Sequence, residues 1–189
     1  MVFSGISLTA LAGSSLLIRG PNGAGKSSLL RLLAGLLPCR YGRIERNAPL
    51  ALADEHLALD GTARLREALA FWAHIDGIGE QALAHAMTRF ALEPLADIPV
   101  RMLSTGQRKR AILARTMASG ARLWLLDEPG NGLDSASLAI LASAMDDHIA
   151  SGGAIIAASH FDLTHRSHSI IDIGVTVTAG LAATGGGMA

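Results

Sequence analysis

Apolar runs and segments of helical periodicity alternate along this chain. Strand-like runs occupy residues 16–18, 42–46, 50–53, 122–126, 154–158 and 170–177, and the last of these is interpreted as two short strands. Helical patterns occupy residues 28–37, 62–75, 80–91, 105–118 and 135–149. Helices that alternate with short apolar strands are typical of a parallel sheet covered by helices. The pattern therefore predicts an α/β fold with a mostly parallel sheet.

Three of the predicted helices follow one another without an intervening strand. They lie between the strand-like runs at 50–53 and 122–126. A chain of 189 residues is the size of one domain. We therefore predict a single domain at 1–189, with a core of approximately 1–59 and 119–189 and a helical subdomain inserted at approximately 60–118.

Composition narrows the function classes. The 16 basic and 16 acidic residues cancel, so net charge gives no reason to expect a nucleic-acid partner or an anionic membrane surface. No apolar run reaches the roughly 20 residues that span a bilayer, and the first residues do not resemble a signal peptide. The single cysteine, Cys39, excludes an intrachain disulfide. These features predict a cytosolic chain whose surplus apolar residues serve a buried sheet and a partner interface.

The first chemical motif lies between the run at 16–18 and the helix that follows. It has the pattern G-x-x-x-x-G-K-S of the phosphate-binding loop of P-loop NTPases. The glycines bring backbone N–H groups close to phosphates, Lys26 reaches the β- and γ-phosphates, and the Ser27 hydroxyl holds Mg²⁺. The alternative is a glycine-rich turn before a core helix. The predicted nucleotide-binding residues here are Gly20, Pro21, Asn22, Gly23, Ala24, Gly25, Lys26, Ser27 and Ser28.

The second motif is an apolar strand that ends in two carboxylates, Asp127 and Glu128. In a P-loop enzyme an Asp at this point binds Mg²⁺. The adjacent Glu128 can orient and polarise a water that attacks the γ-phosphate, as a general base. The alternative is a buried strand capped by two solvated acids. With the phosphate-binding loop upstream, the pattern predicts an enzyme that hydrolyses a nucleoside triphosphate.

The third motif, Leu-Ser-Thr-Gly-Gln at 103–107, opens a helix. Ser104 is a good N-cap, and a helix N-terminus with the small Gly106 can hold an anion. On its own this is also a common capping pattern. Arg108, Lys109 and Arg110, which follow it, could form a solvated face.

Together these motifs resemble the ATP-binding cassette (ABC) family of ATPases, with Thr105 where the family has a glycine. The resemblance covers residue 3 to about 173 and implies a RecA-like P-loop core with a helical subdomain. It also implies that Ser104, Gly106 and Gln107 of one chain cover the γ-phosphate held by a second chain. Asn-Gly-Leu-Asp at 131–134 is similar to the D-loop, which places Asp134 at the dimer contact and the nucleotide. His160, after the run at 154–158, is similar to the switch histidine that touches the γ-phosphate.

Within the ABC family, the short chain and its motifs resemble the ATP-binding subunits of the haem exporter of cytochrome c maturation. The segments that carry this resemblance are 20–37, 103–107 and 70–73. The resemblance implies two such subunits on the cytoplasmic face of the bacterial inner membrane. They would be peripheral, would bind integral membrane subunits, and would hydrolyse ATP with Mg²⁺ to drive export of haem.

Two positions depart from the ABC pattern. No aromatic residue stands well before the P-loop to stack on adenine, and Phe3 lies too close to Lys26 for that role. His56 occupies the place of the glutamine that links Mg²⁺ and the attacking water to the helical subdomain, so it is a candidate metal-site residue. Its charge would vary near neutral pH.

These departures keep other functions open. The chain could be an ATP-dependent regulatory or assembly module with weak hydrolysis, or the ATPase of another small ABC exporter. A P-loop kinase is more distant, since it needs neither the 103–107 motif nor His160. His165 and His168 could be read as metal ligands by their spacing, but no third ligand is evident.

Overall fold

The computed structural model describes residues 5–54, 59–160, 163–164 and 169–173. The described elements alternate strand and helix at both ends of the chain and place three helices in succession in the middle. In chain order they are β1 Ser15–Arg19, α1 Lys26–Ala34, β2 Leu50–Ala53, α2 Leu65–Ile75, α3 Glu80–Arg89, α4 Thr105–Ala118, β3 Leu123–Asp127, α5 Ser135–Ala150, β4 Ala154–Ala158 and β5 Ser169–Asp172. Two single-turn 3₁₀ helices, Glu93–Leu95 and Val100–Met102, lie between α3 and α4.

The five strands form one sheet in the order β2-β3-β4-β1-β5, and every pair is parallel. The predicted α/β fold with a parallel sheet is therefore confirmed. Because all strands run in one direction, the loops that follow them meet at one edge of the sheet, which is where ligands bind in open parallel sheets. No helix in the described part of the chain is long and apolar enough to cross a membrane.

Both faces of the sheet are buried, which explains the continuous apolar runs. Alternate strand residues enter two separate cores: Leu17, Leu126 and Ile155 point to one face, and Ile18 and Leu125 point to the other. The first face is covered by α5 and α4, and α2 and α3 pack on α4 and extend the same core. The second face is covered by α1, whose residues Leu29 and Leu30 complete that core. The packed sheet is thereby a rigid support for the loops at its edge.

The helices α2, α3 and α4 lie between β2 and β3 in the chain and pack on one another. Their buried side chains form the larger core with the sheet, and the fully buried ones include Leu65, Leu69, Met87, Phe90 and Leu113. The division into a core and a helical subdomain at approximately 60–118 stays a prediction.

Two local predictions in the first third of the chain are wrong. Residues 42–46 do not form a strand. They lack an apolar face to bury, and Arg46 instead donates hydrogen bonds to the carbonyl oxygens of Leu33 (2.6 Å) and Leu32 (2.9 Å) at the end of α1. The helix predicted over 28–37 ends earlier, because Gly35 adopts a left-handed conformation (φ 83°) and caps α1.

At the C-terminal side, β5 accounts for the first of the two strands predicted over 170–177. The second falls at residues outside the described ranges, as do His56, His165 and His168. β5 pairs with β1, and Ile173 donates a backbone hydrogen bond to the carbonyl oxygen of Arg19 at 2.8 Å. This contact brings the end of β5 against the start of the phosphate-binding loop.

Candidate nucleotide site

The phosphate-binding loop connects β1 to α1 at the carboxyl edge of the sheet. Gly23 (φ 82°) and Gly25 (φ 97°) adopt left-handed conformations, and Gly25 is the N-cap of α1. A Cβ atom on Gly20 would lie 2.3 Å from the carbonyl oxygen of Ile173. These positions require glycine, because a side chain would strain the turn or collide with Ile173, the residue after β5. The loop therefore presents backbone N–H groups and the N-terminus of α1 to the same space.

Lys26 is the first residue of α1, and it is 7% exposed. Its ammonium donates a hydrogen bond to the carbonyl oxygen of Gly20 at 2.8 Å and lies 3.4 Å from that of Pro21. The Nζ atom is also 3.9 Å from Oε1 of Glu128. A phosphate group that entered the loop would offer this cation a stronger, charged acceptor than the loop carbonyls.

The carboxylates that follow β3 lie beside this lysine. Asp127 is 5% exposed, and among the described residues its Oδ1 atom has no hydrogen-bond partner. Glu128 has a positive φ of 43°, which is uncommon for a residue with a side chain. Its N–H donates to the carbonyl oxygen of Ala158 on β4 at 2.9 Å. Backbone strain of this kind is found at functional sites, where the surrounding structure holds it.

His160 completes the cluster. It follows β4, and its Nε2 atom lies 3.2 Å from Oε1 of Glu128, 3.2 Å from Oδ1 of Asn22 and 3.5 Å from Nζ of Lys26. Three loops, after β1, β3 and β4, thus bring four predicted site residues together. The arrangement can hold an anion with the lysine and the loop N–H groups, and it can accept a proton on the glutamate.

The motif at 103–107 begins α4 on the protein surface. Ser104 is exposed and forms a capping box with Gln107: its hydroxyl accepts from the Gln107 N–H at 3.2 Å, and the Gln107 side chain accepts from the Ser104 N–H at 2.8 Å. A Cβ atom on Gly106 would lie 3.1 Å from the carbonyl oxygen of Gly132. The helix start therefore packs directly on the loop after β3 and leaves its N-terminus facing outward.

Asp134 ends that loop as the N-cap of α5. Its Oδ1 atom accepts a hydrogen bond from the Ser137 N–H at 2.7 Å. The hydrogen bonds from Ser137 lower the pKa of the Asp134 carboxyl below its ordinary value. Asp134 therefore has a local structural role in this chain besides the intersubunit role that the sequence predicts.

The prediction of a solvated face at 108–110 is wrong. Lys109 is buried and donates to the carbonyl oxygen of Asp127 at 3.2 Å, and Arg110 donates to that of Phe90 at 3.0 Å. The helical period contained the signal, because Lys109 shares the buried face of α4 with Leu113 and Thr116. A lysine on a buried helical face calls for a specific acceptor.

The residues fit a magnesium ion at one point. The buried, unpartnered Oδ1 of Asp127 is an oxygen of the kind that Mg²⁺ selects, and Ser27 lies in the first turn of α1. The described residues contain no group of three or more His, Cys, Asp or Glu side chains that could hold a metal alone. Mg²⁺ sites of nucleotide enzymes need no such cluster, since one or two protein oxygens combine with phosphate oxygens and water.

Comparisons with known proteins agree with this geometry. The family model for ABC transporters matches residues 3–131. The "Cytochrome c biogenesis ATP-binding export protein CcmA" of Sphingopyxis alaskensis is 54% identical over 163 residues, which are 86% of this chain and 84% of that protein. The protein of the same name from Zymomonas mobilis is 50% identical over 173 residues, 92% of this chain and 78% of that protein.

A search of solved structures identifies the same fold. The "Structure of ATP binding subunit of ABC transporter" superposes with a TM-score of 0.79 at 24% identity, over 85% of this chain and 73% of that one. ATP-binding subunits of this family bind and hydrolyse ATP. The chain therefore belongs to the ABC transporter family as an ATPase subunit, in the group of the CcmA proteins.

Proposed function

We propose that this chain hydrolyses ATP as a pair of subunits that drives an exporter serving cytochrome c biogenesis. The observation that carries the proposal is the convergence of Lys26, Glu128 and His160, with Nε2 and Nζ atoms 3.2 and 3.9 Å from one glutamate oxygen. The export role follows from the relatives, whose printed name is that of an ATP-binding export protein of cytochrome c biogenesis. That the exported species is haem stays a prediction of the sequence resemblance.

The phosphates of ATP would bind to the loop at 20–27. Lys26 would leave the Gly20 and Pro21 carbonyl oxygens for the β- and γ-phosphates, and the N-terminus of α1 would add its dipole. Asp127 and Ser27 would hold Mg²⁺, which supplies charge neutralisation at the phosphates when it is bound. The buried oxygen of Asp127 supports this role.

Hydrolysis would depend on Glu128. Its carboxylate faces Lys26 and His160, so a water between it and the γ-phosphate would be oriented and could transfer a proton to Oε1 or Oε2. His160 is about half exposed and lies within reach of both Glu128 and Asn22. It would contact the γ-phosphate from beside Asn22 of the loop.

The motif at 103–107 would serve a second chain. Ser104 is exposed at the N-terminus of α4, and the N-terminus of a helix is suited to an anion. In a two-chain sandwich this terminus would meet the γ-phosphate held by the partner's loop. Asp134 would lie at the same contact. The integral membrane subunits would hold the two chains on the cytoplasmic face of the inner membrane.

ATP hydrolysis by the complex with its membrane subunits tests the proposal. Lys26→Ala should weaken ATP binding by about 100-fold or more, because charge-assisted hydrogen bonds to two phosphates are lost. Arg43→Ala is the matched control, since Arg43 is an exposed cation outside the site (side chain 80% exposed). Isothermal titration of both variants with Mg-ATP measures the difference.

Unchanged affinity in Lys26→Ala would contradict the site assignment. Tight ATP binding by the unaltered chain, with no stimulation of hydrolysis by the membrane subunits, would instead support the regulatory or assembly module.

A further inference from the structure

The peptide group that joins Asp127 to Glu128 is anchored on both sides. Its N–H, from Glu128, donates to the carbonyl oxygen of Ala158 on β4 at 2.9 Å. Its carbonyl oxygen, from Asp127, accepts a hydrogen bond from the Nζ atom of Lys109 on α4 at 3.2 Å. Two elements outside the loop, β4 and α4, thus fix the plane of this peptide group.

The orientation of this plane sets the conformation of Glu128. The φ angle of a residue is the rotation about its N–Cα bond, so it relates the peptide group before the residue to the residue's own carbonyl carbon. On the far side, the Glu128 carbonyl oxygen is held by the Asn131 N–H at 3.2 Å. With both neighbours fixed, Glu128 stays at φ 43°, in a region that is strained for a residue with a side chain.

The anchor on the α4 side is an unusual choice of side chain. Lys109 is 9% exposed and is one of only two lysines in the chain. Burial of an ammonium group is costly unless it is hydrogen bonded. Helix α4 also begins with Ser104 and packs through Gly106 on the carbonyl oxygen of Gly132, four residues after Glu128. Helix α4 therefore contacts both the start of the loop after β3, at Asp127, and a later point of that loop, at Gly132.

We propose that Lys109 is a positioning residue for ATP hydrolysis, which holds the Asp127–Glu128 peptide so that the Glu128 carboxylate faces the γ-phosphate. This inference rests on the proposed function, because it assigns the effect of Lys109 to the water that Glu128 orients. Lys109 touches neither the nucleotide nor the water. A second consequence of this inference is that a shift of α4, whose N-terminus would meet the nucleotide of a second chain, reaches Glu128 through the hydrogen bond from Lys109.

The test compares Lys109→Met with Lys109→Arg in the full complex. Met matches the length of the stem without a donor, so kcat should fall by about 10- to 100-fold, the scale of a 1 Å displacement at a reacting group. ATP affinity should stay unchanged, since Lys26 and the loop N–H groups are intact. Lys109→Arg, which keeps a donor, should recover most of the rate. Arg115→Met is the matched control: that half-buried cation of α4 lies 3.7 Å over the ring of Trp72, away from β3.

A double variant separates positioning from general destabilisation. If Lys109 acts through Glu128, then Lys109→Met should add little to the loss caused by Glu128→Gln. Multiplied losses, or a lower ATP affinity that accompanies the lower rate, would overturn the proposal. If Lys109→Met does not fold, Lys109→Gln replaces it and must show the same loss of kcat at constant affinity.

A crystal structure of the nucleotide-free variant gives a result that does not depend on hydrolysis. Without the Lys109 hydrogen bond, the Glu128 φ angle should leave the left-handed region. A φ that stays near 43° would overturn the proposal, whatever the activity. Failure of the unaltered complex to hydrolyse ATP would refute the proposed function instead, and the φ angle would still decide the role of Lys109.

Discussion

The two ends of β3 carry different kinds of polar group. At the carboxyl end, Asp127 and Glu128 have buried carboxylate oxygens without a hydrogen bond among the described residues. Towards the amino end, Trp124 stacks on His148 of α5, with ring centroids 3.9 Å apart and planes at 13°. There too, in the described part of the chain, the Nε1 atom of Trp124 and the Nε2 atom of His148 have no partner.

What distinguishes the ends is charge. A buried neutral N–H or ring nitrogen without a partner costs roughly 1–3 kcal/mol. A buried carboxylate without a partner costs considerably more, so it calls for a cation. At the carboxyl end the ammonium of Lys26 supplies part of that positive charge, and a bound metal would supply the rest. Along β3, the unsatisfied carboxylate oxygens therefore lie at the candidate site, whereas the unsatisfied neutral groups lie in the packed amino end.

The largest effect is expected at Glu128. Glu128→Gln keeps the shape but cannot accept a proton, so hydrolysis should slow by roughly 10²- to 10⁴-fold. ATP binding should persist because Lys26, the loop and Asp127 are intact. The uncleaved ATP would then favour the two-chain state by mass action, which light scattering with Mg-ATP and with Mg-ADP can detect.

The control for that measurement obstructs the surface of α4. Addition of Ser104→Arg to Glu128→Gln should abolish the ATP-dependent dimer, because the long side chain fills the exposed helix N-terminus. A Glu128→Gln chain that binds ATP tightly and stays monomeric, even with its membrane subunits present, would contradict the sandwich. The carboxyl end of β3 would then be a site within one chain.

An intermediate effect is expected at Asp127. If the buried oxygen of Asp127 helps to hold Mg²⁺, then Asp127→Asn should lower the affinity for Mg²⁺ in the presence of ATP by about 10- to 100-fold. This is the loss of metal affinity that follows removal of a partner that orients a metal's ligands. ATP affinity without Mg²⁺ should not change. Titration of ATP at several Mg²⁺ concentrations measures both. Asp97→Asn is the control, since that carboxylate is exposed and paired with Arg64. An equal Mg²⁺ dependence in both variants would remove Asp127 from the metal site.

Much of the carboxyl end could be predicted from sequence because its constraints are local. The run from Gly20 to Ser27 needs its glycines for a turn whose shape is set within eight residues. Parallel strands then bring Asp127 and His160 to the same edge without further information. The order of those strands, with β5 beside β1, depends on packing across the chain and could not be predicted.

The features that sequence analysis missed depend on distant neighbours. In the sequence, Lys109 is part of a basic run. Only the packing of α4 beside β3 shows that its amine contacts the Asp127 carbonyl oxygen. Ile44 lies in a run that resembles a strand, but this run pairs with no strand in the described part of the chain. Arg46, in the same run, caps α1 instead.

The smallest effect is expected at the amino end of β3, where a substitution of His148 tests the comparison between the two ends. The imidazole lies between the Trp124 ring and Gly153, where a Cβ atom would approach Nε2 to 2.2 Å. Burial lowers the pKa of His148 below its ordinary value, and the positive charge of Arg122 acts in the same direction. Hydrogen bonds with the backbone at Arg122 and Ala154 oppose the shift without cancelling it.

A histidine whose pKa is lowered by folding binds its proton more readily in the unfolded chain. Its contribution to stability is therefore complete above about pH 6.5 and is lost as the pH falls towards the folded pKa. His148→Phe keeps a ring beside Trp124 but cannot take up a proton, so the free energy of unfolding should fall less steeply between about pH 7 and pH 5. Urea unfolding at several pH values measures the slope. His85→Gln, at an exposed histidine of α3, should retain the slope of the unaltered chain. If His148→Phe also retained that slope, the neutral ring would not be what makes this end of β3 sensitive to acid. Loss of nucleotide affinity in His148→Phe would refute the separation of the two ends, because it would show that packing at the amino end positions the carboxylates at the other.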